Sequence, residues 1–374
     1  MVEEIVTRIV LPSPFDAHIH WRDIVGFPSM RDVAGYSMRQ FSGGLLMPNT
    51  NPNITTLGIL NKYRTEVEMV IYERMQSFHP LFVYYLSKDL SVSDLLEAWD
   101  KRLIAGVKWY PKGGTTNSSG GVEGYRDVEN ILTAMQEHGI PLLIHGEIPV
   151  FNDEVIDDDL REMMFLKTEM TALCDRFPNL RIVLEHITTM EAVDFVLSHD
   201  NVWATITPQH MLFDTRALFN GLKVSPEGKL KYDHSINGMQ PHHMCRPIIK
   251  KFEHVMAIRE VLIRQHKDGF KKFGLGTDSA PHSIEKKHAS TCACGIFTAP
   301  IALELYAMAF EEMGILDHIK VFACDIMPEF YGIKEQLLNK DIILEREPQL
   351  VQPQYSGIIT TCAELILPWR VNYN

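Results

Sequence analysis

A chain of 374 residues, 45% apolar and 22% charged, has the balance of a globular protein and the length for one large barrel-type domain or two ordinary ones. Its formal net charge of −12 argues against a nucleic-acid surface, although a few local arginines could still grip a small anion. No stretch approaches the roughly 20 apolar residues that cross a bilayer, which argues against a membrane partner.

The opening "MVEEIVTRIVLPSP" puts acids where a secretory signal would be basic, so a cytoplasmic location with six reduced cysteines is expected. Its first apolar run, "RIVLP", leads into "PFDAHIHWRD", where His18, His20 and Arg22 share one face of an extended strand. That face suits a metal held by two imidazoles, with a cation beside it for an anionic substrate; a polar strand end is the alternative. The run "GGLLMPN" ends on Asn49, and helical spacing follows in "TTLGILNKYRTEVEMVIYERMQ". After "LFVYYL" comes the helical "SVSDLLEAWDKRL", for which Ser91 and Ser93 offer N-caps. Lys108 sits inside "AGVKWY", and Gly139 offers a C-cap to the helical "YRDVENILTAMQEHG". "PLLIH" ends on His145; the helical "LREMMFLKTEMTALCDRF" separates it from "RIVLEH", which ends on His186. Past "VWATITP" the spacing widens around a polar, turn-rich insertion near 221–238 and a helix expected around Arg246 to His266. "FGLGTD" ends on Asp278, with His282 just beyond, and the tail from about 335 reads as irregular structure packed on the same domain, residues 1–374.

Eight apolar runs without polar alternation fit parallel strands buried on both faces. Their spacing predicts a (β/α)8 barrel of TIM type; a doubly wound open sheet would want a Gly-rich phosphate loop after its first strand, and none is there. In a barrel the C-terminal strand ends carry the chemistry. Taken singly, His145 or His186 could satisfy its nitrogens on backbone carbonyls, and Asp278 could cap a turn. Gathered around one mouth with His18 and His20, they make a metal site. Lys108 would bury an ammonium there, which desolvation and like charge both oppose. As a neutral amine it could add carbon dioxide and become a carbamate bridging two zinc ions; a lysine snorkelling from the strand end is the alternative. Lys112, after Pro111, is a weaker candidate. Cys292 and Cys294 in "TCACG" lack a second close pair, so buried thiols are expected there rather than a soft-metal site.

The motifs "DAHIHWRD", "MPNTNP", "KWYPKGGTTNSSGGV", "LLIHGE", "EHITT", "ATITPQH", "GTDSAPH" and "CACGIFTAP" together resemble the amidohydrolase superfamily, and within it the compact bacterial and fungal dihydroorotase family. The resemblance runs over most of the chain. It implies zinc-dependent, reversible cyclisation of N-carbamoyl-L-aspartate to L-dihydroorotate in pyrimidine biosynthesis, and a homodimer. It also implies one zinc on His18, His20 and Asp278, a second on His145 and His186, and Lys108 as its carbamate between them. Arg22, Asn49 and His282 resemble the trio that grips the substrate carboxylate, and Thr115 and Thr116 the tip of a mobile loop. Backbone groups at Arg246 and Gly295 fall where the family holds the ring amide, and Asp278 where it shuttles the proton. The lead-in Lys112-Gly113-Gly114 and the insertion near 221–238 depart from the compact pattern. A hydantoinase or allantoinase on the same framework is the alternative enzyme; those need no such grip on a carboxylate. A non-catalytic scaffold is the other alternative, and it would be expected to have lost ligands.

Overall fold

Eight parallel strands lie side by side in chain order: β1 (Phe15–Ile19), β2 (Gly43–Leu46), β3 (His79–Tyr85), β4 (Gly106–Trp109), β5 (Leu142–His145), β6 (Ile182–Glu185), β7 (Val202–Ile206) and β8 (Phe273–Leu275). The computed structural model describes residues 6–337 and 340–372; Glu3 and Glu4, on which the reading of the N-terminus rests, lie outside these. Helices connect the strands, so every connection is a crossover, as parallel pairing demands. The expected (β/α)8 barrel is therefore the observed architecture.

Two apolar layers hold it together. Inside the barrel, Phe15, Ala17, Leu45, Met47, Val83, Leu143 and Val183 pack together, and Ile326, Met327 and Phe330 of the helix Ile326–Tyr331 pack against them. Outside, the alternate residues of the same strands, such as Leu46, Tyr84, Val107, Ile144 and Leu184, join the core under the surrounding helices. This strict alternation explains why the strands read as unbroken apolar runs: both faces are covered.

The seam between β8 and β1 is closed differently. No regular ladder forms there, only a bridge between Ile19 and Ser279, with Asp278 N–H donating to the His18 carbonyl at 3.0 Å and His20 N–H to that of Ser279 at 3.3 Å. The buried Asp16 carboxylate does the rest. It accepts from Thr277 N at 2.9 Å, Thr277 Oγ1 at 2.6 Å and His18 N at 3.1 Å. Burial raises its pKa to about 7 despite these bonds.

Local signals largely hold. Ser91 accepts from Asp94 N at 3.0 Å at the start of Val92–Asp100, whereas Ser93 bonds to the Ser91 hydroxyl instead of capping. Gly139 closes Glu129–His138 at φ 68°.

Three expectations are corrected or sharpened. "RIVLP" is no barrel strand: Arg8–Pro12 pairs antiparallel with Asp341–Glu345, which pairs with Arg370–Asn372. Its outer face stays exposed, whereas all five residues of "FDAHI" are buried; the turn at Ser13, φ 50°, separates the two. The long helix begins at Phe252 rather than Arg246, because Pro247 disfavours helical geometry in the residue before it. The insertion near 221–238 is a hairpin, Asn220–Val224 against Leu230–Asn237, turning at Ser225–Lys229. All six cysteines are unpaired, four of them buried and Cys292 and Cys294 half-buried. Among the described residues no helix is long and apolar enough to cross a membrane.

Replacing Asp16 with Ala strands three donors at the seam. We expect the unfolding free energy to fall by roughly 3 kcal/mol, since each unpaired buried donor costs about 1–3 kcal/mol; urea denaturation checks it.

Candidate metal centre and substrate pocket

The C-terminal strand ends bring the sequence-predicted residues to one mouth. The register of β1 against β2 slips between Asp16 and Ile19, a bulge of one residue. Phe15 and Ala17 face the barrel interior, yet Ile19 joins the outer core. The bulge thus reverses the phase of the strand and turns His18 and His20 inward.

His18 Nε2, His20 Nε2 and Asp278 Oδ1 converge: 3.2 Å between the two nitrogens, then 3.4 Å and 3.0 Å to the oxygen. Tetrahedral bonds of 2.0–2.1 Å would space such atoms about 3.3–3.4 Å apart, so this trio fits a metal ion. A second pair lies across the mouth, where His145 Nδ1 and His186 Nε2 approach to 3.2 Å. The His18 and His186 rings, 5.1 Å apart, link the two groups. His186 and Asp278 both take left-handed backbone, φ 42° and 48°. A side chain there costs about 1–2 kcal/mol, and such outliers gather at functional sites. Thr205 Oγ1 holds the first by accepting from His186 N at 2.8 Å.

Lys108 is fully buried beneath this cluster. Its ammonium meets the Glu185 carboxylate, whose other oxygen lies 3.1 Å from His18 Nδ1. Burial drives the Lys108 pKa well below its ordinary value. Burial, then the charge of Lys108, holds His18 well below its own, and burial, then His145 and Lys108, does the same to His186. Neutral imidazoles are what a metal needs. Two other rings are aimed from behind: His20 Nδ1 bonds Asn49 Oδ1 at 2.9 Å, and His145 Nε2 bonds Glu147 Oε2 at 2.9 Å. Such outer partners fix the tautomer and orientation of a ligand.

Arg22, Asn49, Thr115, Arg246 and Gly295 line the same cavity as the histidines. Arg22 donates to the Pro281 carbonyl at 3.0 Å, which keeps its guanidinium at the mouth. His282 reaches the Cys294 carbonyl at 2.9 Å, and burial, then Arg22, pushes it down to about 2, so it is neutral. Arg246 pairs with Asp158 at 2.6 Å. Gly295 N–H is already given to the Met244 carbonyl at 2.9 Å. Only glycine fits there: at φ 151° an added Cβ would lie 2.3 Å from the Ala280 oxygen. Lys287 ties this wall together, donating to the carbonyls of Met244, Ala293 and Gly295 at 2.9 Å each.

The threonine loop lies closed over the site. Asn49 Nδ2 donates to the Thr116 carbonyl at 3.1 Å, and Asn117 Nδ2 returns a bond of 3.1 Å to the Asn49 carbonyl. Sequence reasoning missed Glu185, Glu147, Lys287 and Tyr110. The pairing of β5 with β6 sets Glu185 opposite His145 and places both on the inner face.

A (β/α)8 barrel with histidines, a carboxylate and a buried lysine at its strand ends defines the metal-dependent amidohydrolases, and the amidohydrolase family model matches residues 15–220. The dihydroorotase of Acaryochloris marina is 37% identical over 369 residues, 97% of this chain and 99% of the relative. That of Laribacter hongkongensis is 39% identical over 340 residues, 91% and 90% of the two chains. The crystal structure of Saccharomyces cerevisiae dihydroorotase in complex with 5-fluoroorotic acid superposes with a TM-score of 0.84 at 29% identity, covering 99% of each chain. This chain belongs to the dihydroorotase family. The family implies a metal cofactor, and the two buried groups His18–His20–Asp278 and His18–Glu185–His186 are spaced to hold one.

Asn117 both latches the loop and occupies left-handed backbone at φ 57°. Asn117→Ala should therefore raise amide hydrogen exchange of residues 113–118 at least about fivefold, for a lost bond of about 1 kcal/mol.

Proposed function

We propose that this chain is a dihydroorotase that opens and closes the cyclic amide linking L-dihydroorotate and N-carbamoyl-L-aspartate in de novo pyrimidine synthesis. The observation that carries the reading is the convergence of His18, His20 and Asp278 on one point, with Arg22 lining the same cavity: a metal centre with a carboxylate grip beside it. His18, His20 and Asp278 would hold one zinc ion and His145 and His186 a second. Lys108 would lie between them as its N6-carboxy form. The loss of pKa that burial imposes on Lys108 favours this: the neutral amine adds carbon dioxide, a C–N bond forms, and the nitrogen releases a proton. When bound, the two ions would acidify a water toward a pKa of about 7 and polarise the ring carbonyl.

The chain's own groups do the rest. Asp278 takes the proton of the attacking water and hands it to the leaving ring nitrogen, and the reverse transfer serves ring closure. Arg22 offers a fork of two N–H donors to the substrate carboxylate, while Asn49 and neutral His282 complete the grip. Thr115 and Thr116 close the loop and exclude water. Main-chain groups of Arg246 and Gly295 border the ring amide. We place the enzyme in the reducing cytoplasm, which suits six unpaired cysteines, and as a homodimer on the strength of its resemblance to the family.

The test follows hydrolysis of dihydroorotate at its amide absorbance, before and after chelation, with hydantoin alongside. Turnover of dihydroorotate alone, lost on chelation and restored by zinc, is expected; faster turnover of hydantoin would overturn the assignment. Lys108→Ala should lose activity and bound zinc together, with partial rescue by short carboxylic acids. Full activity with unchanged zinc would remove the carbamate. Arg22→Met should raise KM roughly 10- to 100-fold at unchanged zinc content, the scale of one charged hydrogen bond.

A further inference from the structure

Tyr110 lines the pocket and has no job in the chemistry above. It directly follows β4, one residue beyond Trp109, and is 1% exposed. Its backbone is clamped: a Cβ on Gly121 would lie 2.1 Å from the Tyr110 carbonyl oxygen, so only glycine lets the two segments meet. Its ring stacks on Tyr85 at 5.4 Å and lies 4.8 Å from Lys108 Nζ and 6.2 Å from the His145 ring. It lines the same cavity as His18, Arg22, Thr115 and Asp278. Yet its hydroxyl is buried and has no hydrogen-bond partner.

A buried hydroxyl left unpaired costs about 1–3 kcal/mol. Among the described residues two other phenols share that condition, Tyr84 and Tyr331. Neither lines this cavity: Tyr84 packs in the outer core, and Tyr331 borders a pocket beside Arg181 and Ile333. At Tyr110 alone the missing partner can arrive with the substrate. A phenol, with its ordinary pKa of about 10, is protonated near neutral pH and able to donate.

We infer that Tyr110 contacts the substrate, its O–H donating to an oxygen of bound dihydroorotate or N-carbamoyl-L-aspartate. The inference rests on the dihydroorotase reading. Both molecules present acceptors: a carboxylate beside Arg22, and carbonyl oxygens of the ring or the ring-opened amide.

The test is Tyr110→Phe in the metal-loaded full chain. The hydroxyl has no protein partner, so its removal should leave metal content unchanged and Tm equal or slightly raised. Steady-state constants on dihydroorotate should change by about tenfold or more, the scale of one lost hydrogen bond. A rise in KM at constant kcat places the contact on the carboxylate. A fall in kcat at constant KM places it on the reacting carbonyl, where charge develops. Either result supports the contact. Constants within twofold of wild type overturn it, and so does a drop in Tm or metal content that accompanies the loss of activity, because that is the behaviour of a structural residue. An inactive wild type would sink the dihydroorotase reading itself; an active wild type with an unaltered variant sinks only this contact.

Discussion

One extra residue in the first barrel strand governs the site. Without the bulge between Asp16 and Ile19, the period of two would carry the interior phase of Phe15 and Ala17 on to Ile19, and both histidines would face the helices. With it, the apolar side chains keep the lower barrel filled while the imidazoles turn inward above them. The bulge also sits at the seam, where a broken ladder leaves backbone groups that Asp16 and Thr277 must satisfy. Filling the barrel, closing it and aiming its ligands are thus one problem, settled within five residues.

The electrostatics of the mouth follow from how little water reaches it. His18, Lys108, His145, Glu185 and His186 are each at most 2% exposed. Charges in such a place are tolerated only in pairs. Lys108 and Glu185 form one pair, Asp278 faces His18 and His20, whose pKa values burial lowers, and Glu147 meets His145. Four histidines, one lysine and three acids is a composition that a protein without an ion would hold at a cost in stability. Added positive charge would relieve the acids and use the imidazole lone pairs at the same time. Burial that looks unfavourable group by group becomes coherent once a cation is admitted.

Much of this was legible in the sequence because barrel topology converts strand ends into neighbours. His18, His20, Lys108, His145, His186 and Asp278 each end or follow a buried strand, and the fold alone gathers them. What escaped has physical reasons. "FDAHI" reads as the extended continuation of "RIVLP" rather than as the first barrel strand itself, because its Asp and His are buried only by virtue of the seam and the bulge, which pattern reading does not see. "RIVLP" looked buried, although one of its faces is open. The hairpin at 220–237 alternates lysines with apolar residues, a half-exposed strand pattern hidden by its turn residues. Glu185 and Glu147 went unnoticed because an acid beside a histidine carries no signal until register shows which way it points.

Asn49 shows how the ligand cluster and the loop are tied. Its Oδ1 faces His20 Nδ1, which fixes the amide plane and directs the NH2 group at the mouth. That group has two donors. One is given to the Thr116 carbonyl of the closed loop. On the proposed function, the second would be left for a substrate carboxylate beside Arg22. Loop closure and substrate binding therefore need not compete for this side chain; they divide it. Because the orienting bond comes from His20, an ion held by that imidazole would also fix Asn49, and through it the resting place of the loop. Order at an occupied metal centre would then pass outward to the loop through one amide.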